Sequence, residues 1–216
     1  MTDNIGESVL LSYFKYEKKC TICCQNWTNS KAYEEKSNVI KIYDKLYNEN
    51  TTVKENFTSK NGQKRTLENI LNETEIDVIG VNGKELYIAD VAFHNNGLGY
   101  GDNEDRIFKK LFRFCLTCLQ YFSDYESFEI MFACPFVKKC DVESLKKSAE
   151  DIKSLFAEYF GEKKISVKCV VNEDFSKEIL EPLFKVGDKI TEADAFLRAI
   201  QLIRTCKVTD KLNNGK

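Results

Sequence analysis

Hydrophobic residues recur along the chain with two periods, one typical of helices and one typical of strands. A first core helix is predicted from Ser30, which has the residue type of an N-cap, to about Leu46, and its apolar face is formed by Ala32, Val39, Tyr43, Leu46 and Tyr47. Two further helices are predicted near 104–122 and 142–160. The last helix opens at Thr191 and carries an apolar stripe of Ala193, Phe196, Leu197, Ile200 and Ile203.

Shorter apolar runs between these helices are predicted as strands. Residues 75–81 and 85–93 form two of them, and the Asn82-Gly83 pair between them indicates a tight hairpin turn. The runs FEIMFACPF (128–136) and ISVKCVV (165–171) form two more. The order helix, hairpin, helix, strand, helix, strand predicts an α/β fold in which a mixed central sheet is flanked by helices.

Two segments lack a clear period. Residues 8–27 are rich in aromatic residues and cysteine and are left unassigned. Residues 49–65 are rich in Asn, Thr and Lys and are predicted as a mobile surface loop that could become ordered on a ligand. Because the chain has only two prolines and no low-complexity linker or repeat, one domain is expected over 1–216, with its core at about 30–175 and helical additions at both ends.

Charge and hydropathy exclude some classes of protein. The 32 basic and 34 acidic residues give a net charge of −2, so any nucleic-acid site must be local. No apolar run approaches the roughly 20 residues that span a bilayer. The first residues, MTDNIGESVLL, also lack the pattern of an export signal. A cytoplasmic protein that does not enter the membrane is expected.

The nine cysteines are an odd number in a chain without an export signal, which argues against a disulfide framework. Two pairs have the CxxC spacing, Cys20–Cys23, which Cys24 follows, and Cys115–Cys118. Together they could supply four zinc thiolates. The second pair lies in a helical pattern that favours core packing, so a zinc or redox role is kept as a minor alternative.

Acidic residues interrupt the predicted hairpin. Side chains alternate along a strand, so Glu75 and Asp77 share one face of the first strand. Asp90, Ala92 and His94 likewise share one face of the second. A carboxylate in a run such as LYIADVAF is costly unless it is paired, hydrogen-bonded or bound to a metal. Two such carboxylates brought together would bind a hard cation such as Mg²⁺, which supports phosphodiester hydrolysis.

The segment EIDVIGVNGKELYIADVAFH (75–94) resembles the core of PD-(D/E)XK nucleases, particularly the small Holliday-junction-resolvase-like members, whose hairpin carries an E-I-D strand followed by E-V-K. The resemblance covers about twenty residues directly and the surrounding order of elements more loosely. It implies a restriction-endonuclease-like sheet, Mg²⁺ or Mn²⁺ as cofactor, and hydrolysis of nucleic acid, with DNA preferred. It also implies that Asp77, Asp90 and the backbone carbonyl of Val91 bind the metal. Glu75, on the same face as Asp77, is a further candidate metal ligand, and either Glu35 or Glu75 is expected to assist.

The lysine of this family would fall at Ala92, which carries no charge. His94, the only histidine, is one candidate replacement because an imidazole titrates near neutral pH, and a hydrogen-bonding histidine at a strand end is the alternative of equal weight. Lys110 is the preferred candidate for a lysine that has migrated to the following helix, as in some nucleases of this superfamily. Glu35, which flanks the apolar face of the first helix, corresponds to the acid that the family often has there.

Basic residues on the helix near 104–122 are expected to contact nucleic acid, namely Arg106, Lys109 and Arg113, although such a row is more often a solvated helix face. The glycines at 97–101 match no phosphate-binding motif and are expected to form a flexible connection. Two functions remain open. One is a metal-dependent endonuclease, and the other is a catalytically inactive nuclease-like interaction or assembly module. A homodimer or a partner protein is compatible with both.

Overall fold

A five-stranded mixed sheet organises the computed structural model, which describes residues 5–30, 32–93, 98, 102–187 and 195–205. The strands lie side by side in chain order: β1 (Ile22–Thr28), β2 (Glu75–Asn82), β3 (Glu85–Val91), β4 (Ser127–Cys134) and β5 (Lys164–Val171). The first three strands pair antiparallel, and β3, β4 and β5 pair parallel. The predicted α/β class with a mixed, helix-flanked sheet is confirmed.

Helices cover both faces of this sheet. In chain order they are α1 (Ile5–Ser12), α2 (Ser37–Glu49), α3 (Thr51–Asn56), α4 (Leu67–Asn72), α5 (Asn103–Tyr121), α6 (Lys139–Phe160), α7 (Glu173–Phe175), α8 (Glu181–Gly187) and α9 (Ala195–Thr205). Two π-helical turns, Tyr13–Glu17 and Ser176–Leu180, extend α1 and join α7 to α8. Helices α2 to α6 pack on one face, and α1 and α7 to α9 pack on the other. Within the described residues, no helix is long and apolar enough to cross a membrane.

Strand β3 is buried on both sides because a hydrophobic core lies on each face of the sheet. Leu86 and Ile88 belong to the core beneath α2 to α6, whereas Tyr87, Ala89 and Val91 belong to the core beneath α1. This alternation directs residue 90 toward the face that carries α5. The two cores explain the near-continuous apolar sequence of β3, in which Asp90 is the buried charged residue.

The first core helix begins at Ser37, so its predicted start at Ser30 is wrong. The buried side chain of Gln120 explains the difference. Its amide nitrogen donates to the carbonyl of Glu34 at 2.9 Å, and its amide oxygen accepts from the backbone N–H of Lys36 at 3.0 Å. These bonds from α5 satisfy backbone groups that a longer helix would have satisfied internally.

The prediction of a mobile loop over 49–65 is also wrong. Residues Thr51–Asn56 form α3, and the side chain of Asn50 caps it by accepting from the Val53 backbone N–H at 3.0 Å. Val53 and Phe57, four residues apart, are fully buried. Two large apolar side chains on one helical face outweigh the polar composition that suggested a loop.

The hairpin forms with its turn shifted by one residue. Asn82 pairs with Glu85, so the turn residues are Gly83 and Lys84 rather than Asn82 and Gly83. Gly83 has a φ of 57°, a conformation that glycine adopts at little cost. The other predicted strands and the helices near 104–122 and 142–160 are confirmed within a few residues. The predicted helix start at Thr191 lies outside the described residues, and α9 is described from Ala195.

Candidate functional site

Regular strand pairing is interrupted at Asp77. The β2–β3 register ends with Val78 opposite Ala89, and the β1–β2 register skips the position where Asn26 would face Asp77. Asn26 itself has a left-handed φ of 54°. Instead of a ladder bond, the Asp77 carboxylate accepts a hydrogen bond from the backbone N–H of Val91 at 2.8 Å. This irregularity opens the sheet beside Asp77.

A small cavity of about 140 Å³ occupies this opening. Its charged lining residues come from β2, β3, α5 and the segment after α4: Glu73, Glu75, Asp77, Asp90, Lys110 and Arg113. The hairpin therefore brings Asp77 and Asp90 to one cavity, as their strand positions predict. Four acids and two basic groups line this small space, so the site is strongly polar.

Asp90 is the most deeply buried charged group of this cavity, with 2% of its surface exposed. Its Oδ1 forms an ion pair with the ammonium of Lys110 on α5. Its Oδ2 is buried and has no hydrogen-bond partner among the described residues. A buried carboxylate oxygen without a partner is costly, and its lone pairs are available to a cation.

Asp77 has an unusual affinity for protons. Burial, followed by the negative charge of Asp90, raises the pKa of Asp77 to about 7 from the ordinary value of 3.8. The hydrogen bond from Val91 and the positive charge of Lys110 act in the opposite direction. A divalent cation placed between the two carboxylates would relieve this repulsion, because oxygen donors are the ligands that Mg²⁺ prefers.

Replacing Asp77 by asparagine is expected to remove a pH dependence of stability. Between the ordinary pKa of 3.8 and the folded-state pKa of about 7, the folded protein binds more protons than the unfolded chain. The free energy of unfolding of the wild type should therefore fall as pH rises from about 4 to about 7, by up to about 1 kcal/mol per pH unit. Asp77→Asn retains an acceptor for the Val91 amide, so urea unfolding at several pH values should show a flatter profile. Equal slopes in the two proteins would contradict the raised pKa.

Lys110, one of the two candidate replacements for the lysine that the resemblance calls for, contacts an aspartate of the cavity. Ala92 lies on the same side of β3 as Asp90, where it packs against the α2 to α6 core. The ammonium of Lys110 reaches Asp90 from the neighbouring helix instead. The Lys110 side chain is 46% exposed, so it lies between the buried carboxylate and solvent. His94 lies outside the described residues.

Glu35 lies at a different cavity from Asp77 and Asp90. It lines a separate cavity with Glu34, Glu68, Tyr33 and Tyr121, and it is not among the described residues that line the cavity of the two aspartates. Burial and the charge of Glu68 raise its pKa. Because α2 begins at Ser37, Glu35 precedes the helix and does not occupy the flank that the sequence pattern assigned to it.

The basic residues of α5 have different environments. Arg106 is exposed and Lys109 is half-buried. Arg113 lies at the cavity, where its guanidinium donates to Glu73 at 3.0 Å. Glu73 also pairs with Arg65. Sequence patterns did not predict this Arg65–Glu73–Arg113 cluster, since its members come from three separate segments and follow no motif.

The described protein side chains at this cavity do not supply a complete set of ligands for a metal ion. Among the residues that the structure describes, no three or more His, Cys, Asp or Glu side chains are grouped to hold a metal ion. Asp77 and Asp90 offer two carboxylates, Glu75 lines the same cavity, and Val91 is tied to Asp77 through its N–H. Two carboxylates with water and phosphate oxygens are a usual ligand set for Mg²⁺, so the residues present fit this ion.

Comparison of the chain with protein-family models, with curated proteins and with solved structures gave no match.

Proposed function

We propose that the protein is a cytoplasmic, Mg²⁺- or Mn²⁺-dependent endonuclease of the PD-(D/E)XK type that hydrolyses phosphodiester bonds, with DNA as its substrate. The observation that supports this proposal is the buried pair Asp77 and Asp90, with Lys110 in contact with Asp90. This combination of two acids and a lysine is the one that the sequence resemblance calls for, with the lysine supplied by α5 instead of β3. Oδ2 of Asp90, which has no hydrogen-bond partner among the described residues, is the proposed first ligand of the metal.

Each residue has a distinct role in this proposal. Asp77 and Asp90 hold the cation, and Val91 orients Asp77 through its N–H. The bound ion would stabilise charge on the attacked phosphate and acidify a water molecule. Lys110 shields Asp90 while the site is empty of substrate. Its exposed side chain can then turn toward a phosphate or the attacking water, where a positive charge stabilises the developing negative charge.

Arg113 and Arg65 are the proposed phosphate contacts nearest to the cavity. Both guanidinium groups are held by Glu73, so their planar donors are positioned before substrate arrives. Arg106 and Lys109 extend the basic surface along α5. Because the net charge is −2, such local contacts would have to provide most of the attraction for a nucleic acid.

The proposal is tested by incubating the purified protein with linear, circular, single-stranded and branched DNA, and with RNA. Each substrate is assayed in Mg²⁺, in Mn²⁺ and in a chelator, and an Asp77→Asn/Asp90→Asn double variant purified in parallel controls for contaminating nuclease. Cleavage that needs the metal and disappears in the double variant is the expected result. Cleavage that persists unchanged in the double variant would overturn the proposed site. An intact, metal-loaded wild type that cleaves none of these substrates would favour the assembly-module function instead.

A further inference from the structure

The two cysteines of the first CxxC pair meet above Gly80, on the α1 face of the sheet. Cys23 lies directly opposite Gly80 in the β1–β2 ladder. The Sγ atom of Cys20 lies 2.8 Å from the position that a Cβ atom on Gly80 would occupy. Residues opposite each other in an antiparallel ladder have Cβ positions about 5 Å apart. The Cys20 sulfur therefore occupies the space that a side chain on Gly80 would fill, next to Cys23 on the neighbouring strand.

The local backbone produces this arrangement. In a straight strand, residues three apart point to opposite faces and are separated by roughly 10 Å. Here Lys19 has a left-handed φ of 55°, and the chain bends at Thr21 before β1 begins. The N–H of Cys20 donates to the carbonyl of Phe14 at 2.9 Å, and the N–H of Thr21 donates to the carbonyl of Val81 at 2.8 Å. These bonds fold Cys20 back toward Cys23.

The two thiols are chemically unequal. Interaction between the two thiol groups raises the pKa of Cys20 and lowers the pKa of Cys23. The exposed ammonium of Lys15 lowers the pKa of Cys23 further. A thiolate with a lowered pKa and partial exposure is the form that attacks disulfides. Cys23 is thus suited to attack a disulfide, and Cys20 is suited to resolve the mixed disulfide that forms on Cys23.

The second CxxC pair provides an internal contrast. Cys115 and Cys118 have the same spacing, but both are fully buried in the α2 to α6 core. Burial raises the pKa of each of these thiols. Neither a disulfide reagent nor solvent can reach them in the folded protein, so equal spacing in the sequence corresponds to opposite reactivity in the structure.

We propose that Cys20 and Cys23 form a redox-active dithiol that exchanges with low-molecular-weight disulfides, with oxidised glutathione as the representative reactant. The Cys23 thiolate attacks one sulfur of the disulfide, forms a mixed disulfide and releases one thiolate of the reagent. Cys20 then loses its proton, attacks the Cys23 sulfur and releases the second thiolate. The protein dithiol is oxidised by two electrons, the reagent is reduced to two thiols, and the two protons from the protein end on those thiols. This inference is independent of the proposed nuclease activity.

The test uses the full chain in buffers of reduced and oxidised glutathione, followed by acid quenching, alkylation and peptide mass spectrometry. The expected main product is a peptide in which Cys20 and Cys23 are linked. Cys20→Ser should accumulate the glutathione adduct on Cys23, Cys23→Ser should give no linked product, and Cys24→Ser should behave as the wild type. Circular dichroism of each variant confirms that it is folded.

Two further measurements do not depend on the folding of a cysteine variant. In the wild type, Cys23 should be alkylated faster than the more exposed Cys24 at neutral pH. Gly80→Ala, whose Cβ would displace the Cys20 sulfur, should shift the product from the linked peptide to the mixed disulfide on Cys23. Adducts confined to Cys24, or a linked peptide formed equally well in Gly80→Ala, would overturn the proposal.

Discussion

Replacing Asp90 by asparagine is expected to lower the rate of metal-dependent phosphodiester cleavage by about a thousandfold or more. Asparagine keeps the shape of the side chain and can still accept a hydrogen bond from Lys110. It lacks the negative charge that a divalent cation requires, and metal coordination contributes several kcal/mol to stabilisation of the transition state. Single-turnover cleavage of the best substrate from the panel, at saturating Mg²⁺, measures this loss without interference from product release.

The stability of the same variant distinguishes catalysis from a structural role. Asp90→Asn removes a carboxylate that is 2% exposed and has one unpartnered oxygen, so the variant should unfold at a similar or higher urea concentration than the wild type. Asp124→Asn, which changes an exposed aspartate before β4, is the matched control and should retain full activity. Wild-type cleavage in Asp90→Asn would show that Asp90 does not bind the catalytic metal.

Replacing Lys110 by alanine is expected to lower cleavage by about a hundredfold and also to destabilise the fold. The first effect follows from the loss of the positive charge that the proposed mechanism places beside the scissile phosphate. The second follows because Asp90 is left buried without its ion pair. Since the Lys110 side chain is 46% exposed, the cost should fall below that of a fully buried pair, at about 1–3 kcal/mol. Cleavage kinetics and urea unfolding measure the two effects separately.

A double variant separates these two consequences of losing Lys110. In Lys110→Ala/Asp90→Asn the unpaired buried charge is absent, so stability should return toward the wild type while cleavage remains lost. Lys153→Ala, which removes an exposed lysine from the middle of α6, is the control for removing a lysine from a helix. Unchanged cleavage in Lys110→Ala would show that Lys110 has only a structural role, and His94→Ala would then be the next variant to assay.

The sequence was sufficient to predict the two aspartates of the cavity because their spacing depends on local rules. A tight turn sets the register of a two-stranded hairpin within one residue, and the alternation of side chains then assigns faces. The shift of the turn to Gly83 and Lys84 left this prediction intact, since moving a two-residue turn by one position changes the pairing by two residues and keeps each side chain on its face. The choice of Lys110 also rests on a local rule, because the helical period of α5 determines which of its side chains lie toward the core.

Long-range contacts explain what the sequence could not predict. The position of Glu35 depends on Gln120, which lies on another helix and ends the hydrogen-bonding pattern that a longer α2 would have had. Glu73 joins two arginines from separate segments, and no spacing rule connects them. The approach of Cys20 to Cys23 depends on a left-handed residue and on the absence of a side chain at Gly80, neither of which a CxxC motif specifies.

The most direct test of the central claim is to titrate the protein with Mn²⁺ by isothermal calorimetry, at a pH above the pKa of Asp77, for the wild type, Asp77→Asn, Asp90→Asn and Asp124→Asn. The wild type and Asp124→Asn should each bind at a site that both Asp77→Asn and Asp90→Asn lose or weaken severely. Below that pH, binding to the wild type should release a proton, because the ion displaces the proton held by Asp77. Mn²⁺ binding of equal affinity in all four proteins would contradict a metal site built on Asp77 and Asp90.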